Sequence, residues 1–445
     1  MMLASFAMFF SLLCGYYILR PIRDELGVVI GKEQLERLFL AAFFVMLLVV
    51  PVFGWLIRTF SRRKIVPLIY GFFVLNILVF WLGLGTTEAE QARPVVLSAL
   101  KALGLAAADA QPSLPPASGV WDWNPLHHDP SWAEFFFVWI SVYNLFTVSL
   151  FWSLMAEIFR TDQGKRLFGF IAAGGTLGGI CGPLLTALLV KTIGTGNLLL
   201  GSACLLTCAA SLALVLRRLA GVNSSDSPAP PNGGSQSLLD GAIKVLTSPF
   251  LFRIALYIFL ANVIGTYFYL EQSRIVGEAL PDRAERLAFF ASRDLFVSLT
   301  TITLELFVTG RLMQRFGLLP PLTILPVSAG LGLMALLLFP GLQVIAAIMV
   351  IERALAYAIS NPAVKVLWTT VSAGEKYKAQ NFVDTVVYRG GDAASGWIFA
   401  GLAAVIGGSG TGVALAALPL VAAWLYTGQT LAREHRPAVP AATPA

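Results

Sequence analysis

Apolar residues come in long blocks separated by short polar breaks. A bilayer span needs about 20 mostly apolar residues. On that ruler the pattern predicts helices near 3–22, 36–58, 64–85, 132–156, 167–191 and 197–217, then near 249–272, 287–310, 320–339, 341–362, 381–406 and 409–430. Twelve such segments make an all-α integral membrane protein in two six-helix halves. The expected division is an N-terminal half over 1–218 with an outer loop at 86–131, a linker at 219–243, a C-terminal half over 244–432 and a tail at 433–445. The linker is rich in Ser, Pro, Asn and Gly, a composition that gives flexible chain. The apolar N-terminus lacks a basic leader and a small-residue cleavage site, and reads as a retained first helix rather than a signal peptide.

Composition supports the pattern. Of 445 residues, 57% are hydrophobic and only 13% charged, and a soluble fold of this length has no means to bury so much apolar surface. The net charge of +6 does not point to nucleic acid, because Lys and Arg cluster in alternate short loops. Those loops carry Arg58, Arg62, Arg63 and Lys64; Arg160, Lys165 and Arg166; Arg217 and Arg218; Arg311 and Arg315; Lys376 and Lys378. The opposite loops are mixed or acidic. By the positive-inside rule both termini and the linker are expected in the cytoplasm.

Charge inside apolar segments is the main functional signal. An ionised group at the bilayer centre costs about 2.5–3.5 kcal/mol or more, so it needs a partner or a wet cavity. The candidates are Arg20, Arg23 and Asp24; Glu157; Glu271 and Arg274; Arg293 and Asp294; Glu305; Glu352 and Arg353; Lys365; and Asp384, Arg389 and Asp392. Bland readings stand beside each. Arg23, Asp24 and the stretch Glu278 to Arg286 fit an outer headgroup zone, Glu157 fits a helix end beside Arg160, and Arg293-Asp294 and Glu352-Arg353 fit neutralising pairs. Gly390-Gly391 is expected to loosen the eleventh helix, and a broken helix is tolerated in a membrane only where it lines a cavity.

Other features read as structure. Gly174-Gly175-Thr176-Leu177-Gly178-Gly179 lacks the lysine of a phosphate loop, and its small-x-x-x-small spacing fits close helix packing. The four cysteines, Cys14, Cys181, Cys204 and Cys208, lie in apolar runs and read as small fillers, with no metal or cofactor expected. His127-His128-Asp129 reads as a solvated loop.

The halves echo each other. Gly54-Trp55-Leu56-Ile57-Arg58-Thr59-Phe60-Ser61-Arg62-Arg63 and Gly310-Arg311-Leu312-Met313-Gln314-Arg315-Phe316-Gly317 both resemble the G-x-L-x-D-R-x-G-R-R loop of the major facilitator superfamily. Tyr16-Tyr17-Ile18-Leu19-Arg20 parallels Tyr267-Phe268-Tyr269-Leu270-Glu271. Such parallel halves place a substrate site near mid-membrane.

Tyr16-Tyr17-Ile18-Leu19-Arg20-Pro21-Ile22-Arg23-Asp24 is also similar to the Y-x-I-L-R-x-x-K-D stretch of the nucleotide (ATP/ADP) antiporter family. Ser149-Leu150-Phe151-Trp152 with Gly164-Lys165-Arg166-Leu167-Phe168 resembles its S-x-x-F-W … A-K-R-F-Y. Leu270-Glu271 resembles its V-E. Tyr357, Pro362, Lys376-Tyr377-Lys378, Asp384 and Arg389-Gly390-Gly391 follow its last blocks in order. The resemblance implies a major-facilitator-like secondary transporter, not an enzyme, that exchanges nucleotides by alternating access. It implies a small anionic substrate, here a nucleotide, and a monomer in a lipid bilayer. Under it, Arg20, Arg23, Lys165, Arg166, Glu271 and Arg389 are candidates for substrate binding, and Arg274 and Lys365 join them as charges inside apolar segments. Asp24, Glu157, Asp294, Glu352, Asp384 and Asp392 are candidates for coupling or gating. Arginine suits phosphate because its donors form a fixed fork.

The sequence departs from that family at Gln380 and Asp392, which replace lysines, and at Val364-Lys365 and Gly175-Thr176. Fewer cations then face a polyanion, and uncompensated charge is costly in a dry site. A proton-coupled carrier of a smaller anionic or zwitterionic solute is the alternative. A membrane-embedded enzyme or lipid-handling protein is a second alternative, which would gather acids and histidines at one membrane face.

Overall fold

The computed structural model describes residues 1–59, 62–83, 131–159, 161–219, 238–406 and 410–434. Most of the outer loop at 86–131, much of the linker at 219–243 and nearly all of the tail at 433–445 lie outside them.

Among the described residues there are helices and no strand. They are α1 (Met2–Ile30), α2 (Lys32–Thr59), α3 (Arg62–Gly83), α4 (Ser131–Ile158) and α5 (Thr161–Leu219), then a short α6 (Leu238–Thr247) and α7 (Pro249–Ala279). After them come α8 (Arg283–Phe316), α9 (Leu319–Leu338), α10 (Leu342–Thr370), α11 (Ala373–Phe382 continuing through Val383–Val387 into Tyr388–Ile406) and α12 (Gly410–Glu434). All twelve expected spans are helical. The fifth and sixth share α5, which breaks direction at Gly194, where φ is 75° and ψ 170°, a left-handed conformation that glycine tolerates. Large apolar side chains such as Leu48, Leu68, Leu188, Leu331 and Leu338 are exposed on these helices, as expected for surfaces that face lipid.

The chain divides into two compact units. The first takes Met1–Ile30, the described residues of 53–228, and Pro281–Ser292. Here α1 packs along both arms of α5 and against α4. The glycine run makes this possible, as its spacing predicted. A Cβ on Gly174 would lie 2.5 Å from Phe6 O, one on Gly178 2.6 Å from Phe10 O, and one on Gly182 2.7 Å from Cys14 O. On the other arm, Ser202 Oγ donates to Gly15 O at 3.0 Å. An aromatic cluster of Phe73, Phe80, Trp139 and Tyr143 joins α3 to α4, and Tyr70 Oη donates to Thr147 O at 3.2 Å.

The second unit takes Gly31–Val52, the described residues of 229–280, and those from Arg293 onward. Its centre is α7, which starts cleanly: Ser248 caps the first turn and Pro249 sits where no N–H is needed. It packs against α10, α11 and α12. Tyr257 Oη donates to Leu322 O at 3.0 Å and lies 2.9 Å from Ser360 Oγ, tying α7 to α9 and α10. Short α6 lies against the start of α11, joined by Lys378–Asp240 at 3.0 Å and Lys244–Glu375 at 3.2 Å.

Three helices of this unit carry a π turn: Glu305–Thr309 in α8, Ala356–Ser360 in α10 and Val383–Val387 in α11. One has a local cause. Pro362 supplies no N–H to α10, and Thr309 Oγ1 donates to Ala358 O at 2.8 Å instead. The loosening expected at Gly390-Gly391 is not there. The irregular turn comes before it, and Tyr388–Ile406 is continuous helix. Gly391 serves contact: a Cβ there would lie 2.8 Å from Asn262 Cβ and 3.1 Å from Phe259 O, so its absence lets α7 approach.

Candidate functional site

The charged candidates fall into separate groups. In the first unit, the C-terminal turns of α1 hold Arg20, Arg23, Asp24 and Glu25. Arg20 is buried, with its guanidinium 5.6 Å from the centre of the Tyr17 ring. Arg23 donates to Asp24 Oδ1 from Nε at 2.9 Å and also lies over Phe137. Asp24 has no exposed surface. Asp24 is therefore packed inside protein, and Arg23 is half-buried beside it.

Next to them is a group that the sequence pattern did not single out. Glu25, 1% exposed, accepts from Arg283 Nε at 3.0 Å and from Arg286 at 3.1 Å. Arg286 also donates to Pro281 O at 2.9 Å. Each of the three, read alone, suits an exposed helix end. Only the fold joins residues more than 250 positions apart. Further along the first unit, Glu157 pairs with Arg217 at 3.3 Å. The side chains of Lys165 and Arg166 lie outside the described residues.

In the second unit, Glu271, Arg274 and Glu278 form a ladder along one face of α7. Arg274 lies 2.9 Å from Glu271 and 2.8 Å from Glu278. Arg274 is thus already engaged by two carboxylates. Arg293 and Asp294 pair with each other on α8 at 2.7 Å, and Arg293 NH1 donates to Gln272 Oε1 at 2.7 Å. All three are buried. That pair joins neighbours on one helix, and α7 supplies the Gln272 amide beside it.

Two further groups gather on α7, α8, α10 and α11. Thr266 Oγ1 donates to Asp392 Oδ1 at 3.0 Å, and Arg389 lies 3.8 Å from Asp392 Oδ2. Glu352 belongs to the same neighbourhood. It is within electrostatic reach of Tyr388, as are Asp392, Tyr357 and Arg389, and its Oε1 would touch a Cβ on Gly265 at 3.4 Å. Glu352 makes no ion pair or hydrogen bond among the described residues. The second group is Lys365 on α10, within electrostatic reach of Glu305 on α8 and Asp384 on α11. All three are exposed. Glu305 and Asp384 each sit in a π turn, the irregularity most often found at functional positions.

No metal-holding group of three or more His, Cys, Asp or Glu occurs among the described residues.

No protein-family model and no curated protein sequence matches the chain. Solved structures do resemble it. The nucleoside transporter NupG matches with a TM-score of 0.58 at 12% identity, over 98% of each chain. A bacterial homologue of the iron transporter ferroportin, solved in an inward-facing state, matches at 0.59 and 13% identity, over 96% of this chain and 98% of that one. An auto-inhibited peptide transporter of the POT family matches at 0.56 and 15%, over 99% and 98%. At these identities the likeness establishes the fold. It is an all-α, multi-pass membrane architecture of the major facilitator type.

Proposed function

We propose that the chain is a secondary transporter working by alternating access, and that its substrate is a small polar solute of low net charge. The observation that carries this is the company kept by the cations of the second unit. Arg389 faces Asp392, Arg274 faces Glu271 and Glu278, and Lys365 is within electrostatic reach of Glu305 and Asp384. Each cation is already countered by carboxylate. A nucleoside triphosphate carries several negative charges, and bringing it here would set phosphate against carboxylate. The titratable groups on membrane spans suit a carrier better than an enzyme, since they are distributed along several helices and not gathered at one face. Under this reading Arg389 orients the solute, and Glu352, Asp384 and Asp392 take part in coupling or gating. The carrier works as a monomer in the inner membrane, with the cytoplasmic termini that the distribution of Lys and Arg suggests.

Nucleotide exchange is the second reading, favoured by the motif from Tyr16 to Asp24 and by Arg389-Gly390-Gly391. The purified protein in liposomes loaded with ADP separates the two when labelled ATP is offered outside. The low-charge reading expects no exchange, and uptake of smaller solutes under an imposed proton gradient. ATP uptake that vanishes in unloaded liposomes establishes nucleotide antiport instead. In either assay Arg389→Ala is expected to abolish transport in a folded protein, and normal uptake by that variant removes Arg389 from the site.

A further inference from the structure

Two helices, α2 and α8, are each divided between the two compact units. Residues 32–52 of α2 count with the second unit and its remaining turns with the first. In α8 the order is reversed: residues 283–292 count with the first unit and the rest with the second. As the second and eighth spans, both helices start at the same membrane face. Their starts are held by different chemistry. In the second unit α2 is held by shape. A Cβ on Gly396 of α11 would lie 2.8 Å from Glu36 Cγ, and the Phe39 ring meets Tyr269 of α7 edge-on at 5.7 Å.

In the first unit α8 is held by charge. Glu25 of α1 accepts from Arg283 Nε at 3.0 Å on one oxygen and from Arg286 NH2 at 3.1 Å on the other. The first turn of α8 presents both guanidinium groups in a fixed frame. Asp282 Oδ1 accepts from Glu285 N at 2.9 Å, and Arg286 also donates to Pro281 O at 2.9 Å. Such a triad suits a contact that has to break. The cost of taking charges out of water offsets most of their attraction, and that cost is returned when water enters. An apolar contact loses its whole gain on opening. Arg283 and Arg286 keep 14% and 13% of their side-chain surface, an edge from which water can enter. The other buried pairs differ. Arg293 and Asp294 are neighbours on one helix, and Glu157–Arg217 joins α4 to α5, both wholly within the first unit.

We infer that the triad of Glu25, Arg283 and Arg286 is a releasable clip. It holds the start of α8 on the end of α1 in the state described, and it parts when this membrane face opens. The inference rests on the alternating-access reading and names the contact that opening must break.

The test uses the full chain in lipid nanodiscs, with the four cysteines replaced by alanine and spin labels placed at Val29 and Glu285. Pulsed electron resonance then reads the distance from the end of α1 to the start of α8. The parent protein is expected to show one dominant short distance. Glu25→Gln leaves two guanidinium groups buried without their carboxylate until the face opens. It is expected to raise the long-distance fraction by about tenfold or more. Arg286→Gln keeps the Arg283 bond and is expected to act in the same direction, less strongly. A distribution in the folded variants identical to the parent's overturns the clip. So does failure of both variants to fold, since a contact broken in every cycle cannot be what holds the fold. A second label pair, at Ala156 and Gln314, watches the far ends of α4 and α8. Alternating access expects that distance to shorten as the first one lengthens. Lengthening at 29–285 with no change at 156–314 keeps the clip and removes alternating access. No change at 29–285 with solute uptake in liposomes removes the clip and keeps the transporter.

Discussion

Glu25 Oε2 accepts from Arg283 Nε at 3.0 Å, joining the C-terminal end of α1 to the first turn of α8 within one compact unit. With Arg286 on its other oxygen, Glu25 is held at 1% exposure between two guanidinium groups. Removing one partner of a buried pair costs about 3–5 kcal/mol, because it strands the other charge. Glu25→Gln is therefore expected to lower the unfolding temperature in detergent clearly. Arg283→Gln combined with Glu25→Gln is expected to cost less than the sum of the two single changes. Strict additivity would show that the bridge is not formed.

The contact between α1 and α5 is limited by glycine. Gly178→Leu puts side-chain atoms where a Cβ alone would already lie 2.6 Å from Phe10 O and 2.8 Å from Cys14 N. Overpacking of this kind costs about 1–3 kcal/mol or more. Gly201→Ala on the other arm of α5 meets nothing within 4 Å and replaces a helical glycine. It is expected to be neutral or stabilising by about 0.5–1 kcal/mol. Equal effects of the two substitutions on thermal stability would contradict the packing described.

Thr309 supports the irregular turn of α10. Thr309→Val removes the donor to Ala358 O and is expected to destabilise by about 1 kcal/mol, while Thr309→Ser keeps it. Hydrogen exchange along 356–363 should quicken in the valine variant alone.

The α6–α11 contact is expected to weaken in acid. Ser372 Oγ, first, and Lys244, second, hold the Glu375 carboxyl below its ordinary range. A folded value below the unfolded one contributes stability above the unfolded value of about 4.5, and that contribution is lost as pH falls through the lowered value. Exchange in 238–247 should therefore rise as the pH drops below about 4.5, and Glu375→Gln should flatten that dependence. A rise on the alkaline side of neutrality would contradict this sign.

The division between pattern and tertiary structure follows range. Spans and the glycine packing face were legible because each depends on one segment and the solvent around it. Arg293 and Asp294 were legible as a pair, being adjacent in the chain. The role of Gly391 was misread, since its missing side chain answers to α7 and not to its own helix.

By itself the sequence determined that this is a twelve-span membrane protein in two echoing halves, because apolar length and loop charge are local quantities that a bilayer reads directly. Only the tertiary structure decided which charges meet. Glu25 was given Arg283 and Arg286, Glu157 was given Arg217, and Lys365 was brought within electrostatic reach of Glu305 and Asp384. A charge in a membrane takes whatever partner the packing of distant helices brings within a few ångströms, and no period or spacing along the chain encodes that distance.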